Sequence, residues 1–174
     1  MKKLPVSFFI FLIIIAGCKS KELSREEAFR LIQQKEKYPK VIDFDIYCSD
    51  PKYAKKAMDA GLKVQGLVTI QHTQKLADVG KPLIKFTSKA QAYLLSTPSK
   101  DKAIDVQKVK IADADLAEVT GIKTENDGKN AVAEFTTTYK NITPFSALTT
   151  INFNKKSAHK VRFSLYDDGW KLEK

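Results

Sequence analysis

The chain has 174 residues, with 30 lysines and arginines against 20 aspartates and glutamates, and its net charge is +10. A hydrophobic fraction of 43% and a charged fraction of 29% exclude a disordered or collagen-like chain. Two cysteines are too few for a disulfide-stapled miniprotein, and the length fits one domain or two small ones. The positive charge raises nucleic-acid binding as a first hypothesis.

The first seventeen residues have the pattern of a secretory signal. Lys2 and Lys3 form a short positive start, and every residue from 6 to 15 except Ser7 is apolar. A helix that crosses the bilayer core needs about 20 apolar residues. A run of this shorter length is therefore typical of a cleaved signal peptide at residues 1–17 rather than of a membrane anchor.

The apolar run leads into Ile15-Ala16-Gly17-Cys18, which resembles the lipobox of bacterial lipoproteins. The resemblance covers residues 1–18. It implies cleavage between Gly17 and Cys18, attachment of diacylglycerol to the Cys18 sulfur, and acylation of the new amino group with chains such as palmitate. Two or three acyl chains hold a protein stably at a membrane, because each buried methylene contributes about 0.8 kcal/mol. The alternatives are an ordinary signal peptide with an incidental cysteine, or an uncleaved anchor.

The residue after the cysteine indicates to which membrane of the cell envelope a lipoprotein is sent. In lipoproteins of the enterobacterial type an aspartate at that place marks retention in the inner membrane, whereas this chain has Lys19. The resemblance therefore implies the outer membrane of the cell envelope, on its periplasmic or its surface face, with residues 18–23 as a short lipidated tether. Because the envelope offers little nucleic acid, we expect no nucleic-acid partner.

The basic charge is concentrated in the part of the chain nearer to this tether. Residues 18–104 carry a net charge of +7 and residues 105–174 a net charge of +1. Basic residues near a membrane attract anionic headgroups, but a moderate excess of charge also serves solubility alone. The lysines form no continuous run, which favours the solubility explanation.

Residues 24–97 are predicted to mix helices with short strands. A capping box at 24–27 predicts a helix to Lys37, and the alternation at 41–47 predicts a half-buried strand. Asp50-Pro51 predicts the start of a second helix that ends at Gly61. Strand-like segments at 66–71 and 83–87, followed by a short helix to Leu95, resemble the wing and last helix of winged-helix proteins over residues 24–95. No room is left for a recognition helix, so this resemblance implies a fold and not DNA binding.

Residues 98–104 are polar and contain a proline, which predicts a linker. Residues 105–174 are predicted to form an antiparallel meander of five strands, with tight hairpin turns at Asp127-Gly128 and Asp168-Gly169. Its apolar residues share one face, which the N-terminal helices can cover. The predicted fold class is therefore α+β, with a mixed helical N-terminal half that either joins the sheet region in one domain or remains separate. The predicted strands are 118–124, 131–140, 147–153, 160–166 and 170–173.

Candidate catalytic and metal-binding groups are few. His72 and His159 lie 87 positions apart, and no HxxxH, CxxC or carboxylate cluster has the spacing of metal ligands, so we expect no metal and no cofactor. With Cys18 lipidated, Cys48 has no disulfide partner in the chain. We expect Cys48 to be a buried thiol, the alternative being an exposed thiol that pairs with another protein. An enzyme would need a site assembled from scattered residues such as Cys48, Asp50 and His72.

One basic cluster is a candidate surface for an anionic partner, such as lipid phosphates or peptidoglycan carboxylates. It surrounds the turn before the fourth predicted strand, where the alternative is a solvated hairpin end. The sequence favours a non-catalytic binding or scaffolding module, held to the membrane through Cys18, whose partner is a protein or another envelope component. An envelope enzyme is the alternative function, and no oligomeric state is indicated. The cluster comprises Lys155, Lys156, His159, Lys160 and Arg162.

Overall fold

The computed structural model describes residues 22–125 and 128–173. Its class is α+β, as predicted, with a mostly antiparallel, curled sheet of five strands. The helices are α1 (Arg25–Glu36), α2 (Pro51–Asp59) and α3 (Ser99–Lys102), and short 3-10 helices cover Leu76–Asp78, Ser88–Tyr93 and Pro144–Leu148. The strands are β1 (Lys40–Tyr47), β2 (Val68–Ile70), β3 (Ile84–Phe86), β4 (Val106–Glu125), β5 (Asn130–Lys140), β6 (Ser157–Tyr166) and β7 (Gly169–Leu172).

The signal peptide, the lipobox with Cys18, and the tether up to residue 21 lie outside the described residues. The same holds for Asn126 and Asp127 in the first predicted hairpin turn. Within the part of the chain that the structure describes, no helix has the length and apolar character needed to cross a membrane.

The main sheet has the strand order β1-β4-β5-β6-β7 and is antiparallel throughout. The meander prediction was right about the number of strands and about four of them, which correspond to β4, β5, β6 and β7, and it was wrong about the fifth. The edge strand β1 comes from the N-terminal half, in register with β4 from Lys40↔Ala114 to Tyr47↔Val106. The predicted strand at 147–153 does not form. Instead Pro144 begins a 3-10 helix capped by Thr143, and Leu148 turns into the core.

The strand β4 is much longer than the segment 118–124 that alternation predicted. It runs through 20 residues, and its register against β5 shifts between Leu116 and Glu118 and again between Val119 and Gly121. Each irregularity of this kind moves the next side chains to the opposite face, which conceals a strand from a test of strict alternation.

The helix α1 begins where the capping box places it. The Ser24 hydroxyl accepts a hydrogen bond from the Glu27 amide at 3.1 Å, and Leu23 just before the cap is buried in the same cluster as Ala28 and Ile32. This cluster lies between α1 and the side chains of β4 to β7, and it includes the fully buried Phe163. We term it the α1 core. The predicted covering of the sheet by an N-terminal helix is therefore confirmed for α1.

A second cluster joins α2, the first half of β4 and the short pair β2–β3, which is antiparallel but separate from the main sheet. The Asp50 carboxylate accepts a hydrogen bond from the Lys52 amide at 2.7 Å and caps α2 as predicted. Residues 61–90, which contain β2 and β3, are termed the β2–β3 lobe. The strand pair expected from the winged-helix resemblance is present, but the following helix is a 3-10 helix and α1 packs on the main sheet instead.

The segment 98–104 is not an open linker. It contains α3, and the residues just before it are hydrogen-bonded to β4, since the Leu95 amide donates to the Lys108 carbonyl at 2.9 Å and the Lys108 amide to the Thr97 hydroxyl at 2.9 Å. The polar composition and the proline indicated a loop here, and they did not reveal the short helix or the hydrogen bonds of Leu95 and Thr97 with β4.

Candidate functional site

Cys48 is a buried thiol, as expected, with 7% of its surface exposed. Its Sγ donates to the Ile46 carbonyl at 3.6 Å. Burial, assisted by the negative charge of Asp105, raises the pKa of Cys48 to about 11. The backbone of Cys48 bonds to Asp105, Leu83 and Ile84, so this residue connects β1, β3 and the start of β4. A protonated, enclosed thiol is suited to packing and not to nucleophilic attack.

The other two residues of the enzyme hypothesis are engaged elsewhere. Asp50 caps α2, and the exposed His72 lies with its Nε2 atom 2.7 Å from the Lys63 ammonium. The three residues have separate partners and do not form a nucleophile–base arrangement. Among the described residues, no group of three or more histidine, cysteine, aspartate or glutamate side chains has a geometry that could hold a metal ion.

The predicted basic cluster lies on β6 and the turn before it, and acidic residues of β4 and β5 pair with three of its members. Lys156 pairs with Glu118 at 2.8 Å, Lys160 with Glu134 at 2.7 Å, and Arg162 approaches Glu125 at 4.0 Å. Hydrogen bonds from the two lysines lower the pKa of Glu118 and of Glu134.

His159 in this cluster stacks on Phe135 with ring centroids 5.1 Å apart, and its Nε2 atom lies 3.0 Å from the Thr137 hydroxyl. Four of the five cluster residues have an acidic partner or a stacked ring. Among the described residues, the structure shows neither for Lys155. The arrangement therefore matches a solvated, charge-paired strand face better than a site for an anion.

A groove lies between the C-terminal half of α1 and the edge strand β7. Its volume is about 720 Å³. Sequence reasoning missed it because its two walls are separated by more than a hundred positions and meet only when α1 packs across the sheet. The lining residues are Leu31, Gln34, Lys35, Lys37, Tyr166, Trp170, Lys171, Leu172 and Glu173.

The groove, termed the α1–β7 groove, combines an apolar interior with a basic rim. Trp170, the single tryptophan of the chain, is a buried lining residue, and Tyr166, which also lines the groove, is more than half exposed. The Lys171 ammonium lies 4.9 Å from the Tyr166 ring centroid and 2.9 Å from Asp168. Lys35 and Lys37 are exposed at the end of α1, and neither pairs with a described acidic residue.

This volume lies within the range of about 300–1,000 Å³ typical of small-molecule sites. Aromatic and leucine side chains below lysines suit a ligand with an apolar body and an anionic head. The lining residues include no histidine, cysteine or serine.

Comparisons with protein-family models, with curated proteins and with solved structures found no match. The groove geometry and the pattern of the first eighteen residues are therefore what supports a functional proposal.

Proposed function

We propose that this protein is a lipid-anchored lipoprotein of the cell envelope whose folded part is a binding module. In this proposal residues 1–17 are the signal peptide, Cys18 carries the lipid, and residues 18–23 form the tether. The support is the four-residue lipobox directly after an apolar run of signal-peptide length. Lys19 in place of an aspartate supports the outer membrane as the location.

The observation that carries the binding function is the α1–β7 groove. Lys35 and Lys37 offer two unpaired positive charges beside an apolar interior that contains Trp170. Charged rim residues orient a ligand, and burial of apolar surface supplies most of its affinity. We infer that the ligand is a small amphiphile with an anionic head, such as a long-chain carboxylate. A protein segment with an acidic and an apolar side chain is the corresponding macromolecular partner.

An envelope enzyme has less support. Its site would depend on Cys48, whose pKa is raised to about 11 by burial and which is therefore protonated at neutral pH. It would also depend on Asp50 and His72, which are held by Lys52 and Lys63 respectively. A binding function requires none of these three groups to react.

The anchor is tested by labelling cells that express the chain with a fatty acid that can be detected after electrophoresis. The variant Cys18→Ala should lose the label completely, because the thioether forms on that sulfur. The matched control is Cys48→Ala, which removes the other cysteine and should keep the label. A labelled band in the Cys18→Ala variant would refute the lipoprotein proposal.

The groove is tested through the fluorescence of Trp170, the single tryptophan. Titration with a long-chain carboxylate should change this signal, and the alcohol of equal chain length should bind less tightly. The double variant K35E/K37E should weaken carboxylate binding by about tenfold, as expected for the loss of two exposed charge contacts of up to about 1 kcal/mol each.

The matched control for the groove is K123E/K155E, which makes the same change of charge at exposed residues outside the lining. This control should leave binding unchanged. Equal weakening by both double variants would show that only the net charge matters, and equal binding of the carboxylate and the alcohol would contradict the anionic-head assignment.

A further inference from the structure

The β2–β3 lobe exposes large apolar side chains in two neighbouring segments. Val64 lies in the turn before β2, and Leu76 and Val79 lie in the connection between β2 and β3. Leu76 and Val64 are each 92% exposed and Val79 is 70% exposed. Single exposed apolar residues are normal in soluble proteins, but three in one small lobe, two of them almost fully exposed, require an explanation.

One side-chain contact joins the two segments, and further hydrogen bonds close the connection on itself. Lys63, next to Val64, places its ammonium 2.7 Å from the His72 ring at the start of the β2–β3 connection. Within the connection, the Gln74 side-chain amide donates to the Lys81 carbonyl at 2.9 Å and the Asp78 amide to the Lys75 carbonyl at 2.8 Å. The connection is therefore closed by its own polar groups, and the apolar side chains at Leu76 and Val79 remain outside.

The surroundings of these apolar tips are strongly basic. Residues 61–90 contain five lysines and one aspartate, so the lobe accounts for a net charge of +4. All five lysines are exposed, and Asp78 is paired with one of them, Lys81, at 2.7 Å. These lysines are scattered along the sequence, but all of them are carried by the lobe, and we term them the lysine collar. The collar comprises Lys63, Lys75, Lys81, Lys85 and Lys89.

We propose that the β2–β3 lobe binds the surface of an anionic lipid bilayer. Leu76, Val79 and Val64 enter the interface, and the lysine collar contacts the headgroups. Protruding aliphatic side chains need no complementary pocket in a bilayer, whereas a protein partner would have to supply one. Basic side chains add attraction to anionic lipids near the surface. The inference rests on the proposed anchoring for its location, since Cys18 supplies attachment and the lobe supplies orientation.

The test uses the full lipidated protein reconstituted into vesicles of phosphatidylcholine alone, and into vesicles that also contain phosphatidylglycerol. Flotation measures attachment, and hydrogen–deuterium exchange of residues 73–81 measures contact of the lobe with the bilayer. Exchange should be about tenfold slower with phosphatidylglycerol present, as expected when one leucine-sized side chain leaves water. The slowing should diminish as salt is raised, because screening weakens headgroup attraction.

The double variant L76D/V79D should exchange at the same rate with both vesicle types. Both side chains are highly exposed, so the fold should tolerate the change, which an unaltered thermal midpoint will verify. The matched control is I104D/I151D, which alters two exposed isoleucines outside the lobe and should retain the protection.

The outcomes separate the two proposals. Failure to float with either vesicle type overturns the anchoring proposal. Flotation with equal exchange in both vesicle types, or equal loss of protection in I104D/I151D, overturns the inference about the lobe. Protection that appears only on addition of an acidic protein would assign the surface to a protein partner and would equally overturn it.

Discussion

Replacement of Phe145 by alanine tests whether the two halves of the chain form one cooperative unit. Phe145 lies in the 3-10 helix after β5 and has no exposed surface. Its ring packs 6.1 Å from Phe86 and 6.0 Å from Tyr93, measured between centroids, so its aromatic neighbours both belong to the N-terminal half. A phenylalanine-to-alanine change in a closed core costs about 3–5 kcal/mol. Since 1 kcal/mol shifts the midpoint of a protein this size by about 2–4 °C, we expect Tm to fall by about 10 °C.

The assay follows urea unfolding with two signals, the fluorescence of Trp170 in the α1 core and far-ultraviolet circular dichroism of the whole chain. If the halves unfold together, Phe145→Ala lowers both midpoints equally, although Trp170 belongs to the other cluster. Ile142→Ala is the control, because this nearby side chain is 48% exposed and its loss should change stability by less than about 0.5 kcal/mol. An unchanged Trp170 midpoint, or a loss below about 1 kcal/mol, would refute the reasoning.

Two further predictions concern titratable groups. The pKa of Cys48, raised to about 11 by burial, leaves about one thiol in a thousand ionised at pH 8. A thiol reagent should therefore label Cys48 of the Cys18→Ala variant far more slowly in the native state than in the unfolded state, and rapid native labelling of Cys48 would contradict this. Because the raised pKa favours the protonated thiol in the fold, its contribution to stability is complete below the ordinary thiol pKa and is lost as pH rises towards 11. The second group is Asp113, a buried carboxylate that accepts hydrogen bonds from Lys110 at 2.7 Å and Asn141 at 2.8 Å, which hold its pKa below the ordinary value. Its contribution is present above about pH 3.9 and lost as pH falls through the lowered value, so Asp113→Asn should lower Tm most at neutral pH and least in acid. If the difference in Tm between the variant and the wild type were the same at every pH in this range, the carboxylate charge would be shown to be unimportant.

Local signals predicted local structure well. The caps at Ser24 and Asp50 lie where the sequence placed them. The predicted second hairpin also forms, but its turn residues are Asp167 and Asp168, and Gly169 begins β7 at a φ of 118°. These features depend on residues within one turn of each other, because a side-chain oxygen reaches only the next few amides and a hairpin turn requires only its own backbone conformation. The burial of Cys48 was also predicted, since this residue follows Ile46 and Tyr47 and an unpaired cysteine behaves as a small hydrophobic residue.

Features that depend on distant partners were missed. The segment 147–153 has apolar residues at spacings that a strand can use, but β5 already has β4 on one side and β6 on the other. The position next to β4 is occupied by β1 from the other half of the chain. Similarly, the sequence of the basic cluster indicated a free positive surface. It could not show that Glu118 of β4 and Glu134 of β5 lie beside the lysines of this cluster.

The sequence by itself determined the α+β class, the caps and turns, and the signal and lipobox pattern on which the proposed anchoring depends. Only the tertiary structure decided which lysines remain unpaired, because charge pairing across strands depends on register. It also decided where concave and protruding surfaces lie, because the α1–β7 groove joins residues near both ends of the described chain and the lysine collar joins residues up to 26 positions apart. Local preferences act over a few residues. A binding surface is formed when elements that are distant in the sequence pack together, and such packing leaves no pattern among neighbouring residues.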